Sequence, residues 1–267
     1  MNFNKERKDR IAENAENKVL CEAADKFVEE SARSKYCYNF TWGGLPIIQF
    51  PQDMVAVQEI VWAVKPDLII ETGIARGGSL IYSASLLAMM DYCDAAAAGN
   101  VLDPKKNMNR MVLGVDIDIR EHNKTAIENH PLAHKIKMKQ GSSVDPSIIK
   151  EIREYAKDFQ KILVLLDSNH THEHVLAELN AYAPLVSENS YCVVFDTLIE
   201  NMPEDMYPDR SWGKGNNAGT AVAEYLQTLN NEKILDVKGK QLNFEIDKEI
   251  ENKLLVTVSP NGYLKRV

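Results

Sequence analysis

Apolar positions change period several times along the chain, and each change marks an element. Ile11, Ala15, Val19, Ala23 and Phe27 recur at a fixed four-residue interval, joined by Leu20, Ala24 and Val28, with Glu, Lys and Asp between them. That spacing predicts one amphipathic N-terminal helix. The turn-rich segment Thr41-Trp42-Gly43-Gly44-Leu45-Pro46 ends it, so residues 1–52 read as a helical extension ahead of a main domain over 53–267. From 53 to 64 a second helical pattern (Val57, Ile60, Val61, Val64) runs into Lys65-Pro66, where proline stops it.

A strand follows at Leu68-Ile69-Ile70. Further short apolar runs at 111–115, 135–138, 162–166 and 191–195 alternate with helical segments at 80–90, 121–129, 146–159 and 173–183. This alternation predicts βαβ units and an α/β fold with a doubly wound, mostly parallel sheet. The runs are almost continuously apolar, as expected of strands covered by helices on both faces. Two alternating segments, Leu242-Phe244-Ile246 and Leu255-Val256-Val258, predict a C-terminal antiparallel pair that brings the sheet to seven strands. Before a helix at 220–229, the pattern lapses into a long loop near 198–217 that contains Tyr207 and Trp212. A loop of this length leaving a strand end reads as an active-site lid.

Composition narrows the class. The 267 residues are 45% hydrophobic and 26% charged, which suits a folded domain with a sizeable core. A net charge of −8 argues against an electrostatic hold on nucleic acid. No run approaches the roughly 20 apolar residues of a membrane span, and residues 1–10 do not resemble a signal peptide, so cytoplasm is the expected location. Cys21, Cys37, Cys93 and Cys192 lack Cys-x-x-Cys spacing and read as reduced thiols, with Cys192 in the core.

Sheets of this kind bind ligands at the carboxyl ends of their strands. The residues there are Glu71, Asp116, the Gly141-Ser142-Ser143 turn, Asp167 and Asp196. Glu71-Thr72-Gly73-Ile74-Ala75-Arg76-Gly77-Gly78-Ser79 joins a strand to a helix, and its glycines permit a tight turn and close approach of a ligand. It lacks the Gly-x-Gly-x-x-Gly of dinucleotide sites and the Lys-Ser/Thr ending of a P-loop. S-adenosylmethionine (SAM) has no phosphate, and its ribose, sulfonium and amino-acid end match these positions. Asp116 is placed to accept from both ribose hydroxyls, Glu71 to face the amino-acid end, and Ser142 and Ser143 to reach the adenine; Gly73, Gly77, Ser79 and Asp167 complete the expected cofactor set.

Asp167-Ser168-Asn169-His170-Thr171-His172-Glu173-His174 places three of the six histidines after an apolar strand. No His-Glu-x-x-His zinc motif is present, and His172 and His174 read as first-turn helix residues behind a cap at Ser168 or Thr171. Asp167 and Asp196 end neighbouring strands and would suit a hard divalent ion such as Mg²⁺, with His170 as general base toward an acceptor hydroxyl.

From about Trp42 to the C-terminus the chain resembles the cephalosporin hydroxylase/rhamnosyl O-methyltransferase family. The resemblance rests on Pro66-Asp67-Leu68-Ile69-Ile70-Glu71-Thr72-Gly73, Gly77-Gly78-Ser79, Leu166-Asp167-Ser168-Asn169-His170 with His174, Trp212-Gly213-Lys214-Gly215-Asn216-Asn217 and Gly262-Tyr263-Leu264-Lys265-Arg266. It implies a SAM-methyltransferase (Rossmann-like) fold and methyl transfer from SAM to a hydroxyl of a sugar or small secondary metabolite. It puts the motif-I acid on Glu71, the ribose carboxylate on Asp116, the first metal carboxylate on Asp167, and the proton-accepting base on His170. Relatives commonly end the fifth strand in two acidic residues. This chain reads Phe195-Asp196 there, leaving Asp167, Asp196 and water as the implied metal ligands. Two rivals stay open: an NAD-linked oxidoreductase, and a SAM-fold subunit without catalysis that supports a partner. A homo-oligomer is also left open.

Overall fold

The computed structural model describes residues 2–104 and 109–267; Met1 of the expected extension and positions 105–108 of the expected main domain lie outside them. Two helices open the chain, α1 (Phe3–Glu16) and α2 (Lys18–Arg33), where the periodicity predicts one. The break falls at Asn17, whose side chain accepts the Leu20 N–H at 3.1 Å and caps α2. A new helix start leaves its first N–H groups without intrahelical partners, and asparagine satisfies one of them. Of the four-residue series only Ile11 is buried; Ala15, Val19, Ala23 and Phe27 are exposed, and α2 buries the joined positions Ala24 and Val28 instead.

The turn-rich segment closes a two-stranded antiparallel ribbon, β1 (Phe40–Trp42) with β2 (Leu45–Ile47). Helix α3 (Pro51–Val64) then starts with proline in its first turn and stops at Lys65, which adopts a left-handed conformation ahead of Pro66. The main unit continues as β3 (Leu68–Thr72), α4 (Gly78–Ala98), β4 (Met111–Asp116), α5 (Glu121–Glu128), β5 (Ile136–Gln140), α6 (Pro146–Ala156), β6 (Ile162–Leu166), α7 (His172–Tyr182), β7 (Tyr191–Val194), α8 (Ala218–Asn231), β8 (Phe244–Ile246), α9 (Lys248–Leu254) and β9 (Tyr263–Arg266).

The seven-stranded sheet has the order β5-β4-β3-β6-β7-β9-β8. Strands β3 to β7 pair in parallel, while β9 runs antiparallel to both β7 and β8. The expected C-terminal antiparallel pair exists, but its second strand is β9 rather than Leu255-Val256-Val258. The backbone N–H of Val258 goes instead to the Asp53 carboxylate at 2.9 Å, so that segment cannot add a strand ladder. Charged Lys265 and Arg266 disguise the true strand; Arg266 is buried because it pairs with Asp236.

Alternate residues of each strand face two separate cores. Ile69, Leu165, Val193 and Phe195 pack with α3 and α4 on one side, and Ile70, Val164, Leu166, Cys192 and Val194 with α6, α7 and α8 on the other. This two-sided burial is why the strands read as unbroken apolar runs. Chain order reverses at β3 and β6, so the crevice beyond their carboxyl ends is the expected ligand site. Among the described residues no helix is long and apolar enough to cross a membrane.

Candidate functional site

Strand β3 delivers Glu71 into the core side of the sheet, where it is only 2% exposed. The Ser79 hydroxyl, from the first turn of α4, donates to one carboxylate oxygen, and the other has no hydrogen-bond partner. Burial pushes this carboxyl up to about 7. Immediately beyond, Gly73 has φ +87°, and a β-carbon there would stand 1.9 Å from the Asp167 carbonyl oxygen. Only glycine lets the tips of β3 and β6 approach this closely. Gly77 forms the N-cap of α4.

Asp116, at the end of β4, organises this turn. One carboxylate oxygen accepts the N–H groups of Ile74 and Ala75 at 2.8 and 3.2 Å, and the other accepts from Asp118 at 3.0 Å. Asn123 completes the clamp by donating to the Ala75 carbonyl at 2.8 Å. Ser142 and Ser143 lie in the loop after β5 and divide in role. Ser142 is partly exposed, whereas Ser143 is buried with its hydroxyl 3.1 Å from His174 and its carbonyl accepting from Tyr182 at 2.6 Å.

The reaction-side residues converge more tightly. Asp167 follows β6 and receives a hydrogen bond from Gln49 at 3.0 Å. Burial, reinforced by the neighbouring charges of Asp196, Glu71 and Glu178, holds its carboxyl well above the ordinary range. His170 Nε2 sits 3.0 Å from Asp196 Oδ2. Asp196 itself has φ +58°, a turn out of β7 that aspartate tolerates better than most residues. Asp167, His170 and Asp196 each offer a ligand atom, all within 4.8 Å of one another. The two carboxylates are the hard oxygen ligands a divalent cation such as Mg²⁺ takes, with His170 beside them, so the residues present suit the expected metal.

Phe195 borders the same group of residues from the apolar side. It packs in the α3/α4 core and lines a cavity of about 20 Å³ with Gln49, Glu71, Ser79, Asp167 and others. That space is large enough for one water molecule.

The histidine cluster divides as the local pattern suggests. His172 bridges to Thr220 at 2.8 Å and Glu224 at 3.1 Å on α8, and His174 lies against Ser143 and Ser168. Thr171 is the N-cap of α7, although its side chain makes no capping bond. Ser168 instead donates to Glu178 at 2.7 Å. Only His170 among the three meets the acidic tips.

The 198–217 segment begins as a short 3-10 helix and returns through turns over this cluster. Trp212 stands edge-on to His170 with ring centres 5.4 Å apart, Tyr207 packs 4.6 Å from Trp212, and the Arg210 guanidinium lies 5.5 Å from the Trp212 ring centre. Gln49 and Asp53 escape sequence reasoning; Gln49's one signal is a polar residue interrupting the apolar stretch Ile47-Ile48-Gln49-Phe50.

A family model described as rhamnosyl O-methyltransferase/CmcI matches residues 34–267. A rhamnosyl O-methyltransferase of Mycobacterium bovis is 28% identical over 249 residues, covering 90% of this chain and 85% of that protein. A homologue of the same name from Mycobacterium leprae is 29% identical over 182 residues, covering 66% and 70% respectively. Among solved structures, CmcI with Mg and SAM superposes with a TM-score of 0.54 at 18% identity, covering 86% of this chain and 77% of that one.

Proposed function

The chain belongs to the rhamnosyl O-methyltransferase/CmcI family, and on that premise we propose that it is a SAM-dependent O-methyltransferase acting on a hydroxyl of a sugar or similar small metabolite. The observation that carries this reading is the gathering of Glu71, Asp116, Asp167, His170 and Asp196 at one edge of the sheet, around the chain reversal where such folds bind ligands. Relatives named rhamnosyl O-methyltransferase, 28% identical across most of both chains, favour a deoxysugar acceptor.

Bound SAM supplies an electrophilic methyl group, and a divalent cation supplies positive charge at the acceptor oxygen. The chain's own residues do the rest. Asp116 fixes the turn that would meet the nucleoside, and its carboxylate would accept from the ribose hydroxyls. Glu71 has an oxygen without a partner, which would accept from the ammonium of the cofactor's amino-acid end. Asp167 and Asp196 would hold the cation. In the neutral tautomer that donates from Nε2 to Asp196, His170 keeps Nδ1 free to accept the acceptor's proton. Trp212 and Tyr207 would give a sugar an apolar ring to lie against, and Arg210 a polar partner.

Calorimetry with S-adenosylhomocysteine (SAH), followed by mass spectrometry of a rhamnoside panel incubated with SAM, tests the proposal. Binding of SAH and appearance of a methylated glycoside that depends on Asp167 are expected. Absence of SAH binding at millimolar concentration would end the reading, and a nicotinamide fluorescence signal in its place would favour the oxidoreductase.

A further inference from the structure

The closing motif Gly262-Tyr263-Leu264-Lys265-Arg266 and the loop before it contain none of the acidic tips, yet they converge on one fully buried carboxylate. Asp53, in the first turn of α3, is 0% exposed. One of its oxygens accepts the Tyr263 and Thr257 hydroxyls, each at 2.5 Å, and the other accepts the Val258 N–H at 2.9 Å.

The same loop grips the end of β7 from both sides of Asp196. Before Asp196, the Val194 N–H donates to the Gly262 carbonyl at 2.9 Å. Past it, the Leu198 N–H donates to the Val258 carbonyl at 3.2 Å and the Thr197 hydroxyl to the Pro260 carbonyl at 2.7 Å. The loop comes this close because residue 262 is glycine: a β-carbon there would stand 2.2 Å from the Val194 carbonyl oxygen. Between the two grips lies Asp196, in a left-handed backbone conformation that persists only where its surroundings over-determine it.

We propose that Asp53 is a positioning residue which sets Asp196 against His170 through the 257–262 loop. The inference rests on the Asp167, His170 and Asp196 cluster being the reaction centre. Four residues upstream, Gln49 holds Asp167 directly, so one short stretch of chain entering α3 governs both carboxylates that face His170. A carboxylate suits the task because all three of its partners are donors; an amide in its place would turn its own N–H groups against at least one of them. Burial pushes the Asp53 carboxyl up to about 6, an expense that close packing of apolar residues would avoid.

The test compares the full chain with Asp53→Asn, Thr257→Val and Thr257→Ser, using thermal melts to select folded variants. Two quantities are read on each: SAH affinity, and the Nε2 resonance of His170 in a long-range proton–nitrogen correlation spectrum. Asp53→Asn and Thr257→Val are expected to leave SAH affinity unchanged while the His170 signal loses its Asp196-bonded position, and Thr257→Ser is expected to restore it. An unaltered His170 signal in a folded Thr257→Val or Asp53→Asn variant overturns the proposal. So does a parallel loss of SAH affinity, which would mark general support of the fold. If Asp53→Asn fails to fold, the Thr257 pair decides. Should the wild-type chain not bind SAH, the functional reading fails on its own, with the His170 comparison still legible.

Discussion

Replacing Glu71 with glutamine separates a residue kept for stability from one kept for a ligand. Burial raises this carboxyl from 4.5 to about 7. One pKa unit corresponds to about 1.4 kcal/mol, so forcing the buried group to ionise above neutrality costs the native state about 3 kcal/mol. Because the native pKa lies above the unfolded value, the folded chain keeps a proton that the unfolded chain has already released. The stabilisation from that proton is complete below 4.5 and is lost as pH rises through about 7.

Glu71→Gln removes the ionisation while keeping an oxygen to accept from Ser79. It should therefore gain up to about 3 kcal/mol over the wild type near pH 8, shrinking to about 1 kcal/mol near pH 5. Part of the gain arises at Asp167, whose carboxyl Glu71 repels. Urea denaturation of both proteins at the two pH values measures it. In the same variant SAH should bind about 10- to 100-fold more weakly, the effect of losing a charged hydrogen-bond partner. A stabilised protein that has lost its ligand is the expected signature. A gap in stability that does not change with pH refutes the burial argument, and undiminished SAH affinity refutes the assignment of Glu71 to the amino-acid end.

Three further substitutions probe the remaining parts. Asp116→Ala strips the Ile74 and Ala75 N–H groups of their acceptor and should weaken SAH binding by about 1–3 kcal/mol in calorimetry, with the fold retained. Trp212→Ala removes the ring beside His170 and Tyr207, so KM for the acceptor should rise while SAH affinity stays unchanged; a rise in both would place the tryptophan in the cofactor site. Gly73→Ala meets both a left-handed backbone and a contact at 1.9 Å, and should cost more than about 3 kcal/mol, measured by thermal or urea unfolding.

Much of the architecture is legible in the sequence because the five parallel strands are buried on both faces, which leaves each as an apolar run bounded by turns. The candidate site at their tips is legible for a related reason: the apolar runs hand over to acidic residues at the carboxyl edge, where such sheets bind ligands. Asp167 and its neighbours are found this way. What stays hidden depends on pairings between distant positions. Gln49 meets Asp167 across 118 positions, and Asp53 meets Val258 and Tyr263 across 205 and 210. No local pattern encodes such partners. Strand β9 is missed because Arg266 looks like surface until Asp236 is seen to neutralise it in the interior. The single helix expected at the N-terminus becomes two because one asparagine, Asn17, caps a new start in place of continuing the old helix.

The charge balance of the site bears directly on which ligand it holds. Among the described residues no lysine or arginine pairs with Glu71, Asp167 or Asp196; the one ion-pair partner in the cluster is His170. Elsewhere in the molecule acids in tight quarters are neutralised, as Asp236 is by Arg266 and Asp91 by Arg110 and Lys135. Carboxylates crowded together without a counter-charge hold their protons or await a cation. A sulfonium, an ammonium and a divalent metal are each cations, and a pyrophosphate is the reverse. The dinucleotide reading thus fails on electrostatics as well as on its missing glycine spacing, whereas a sulfonium cofactor is attracted by the field of these carboxylates.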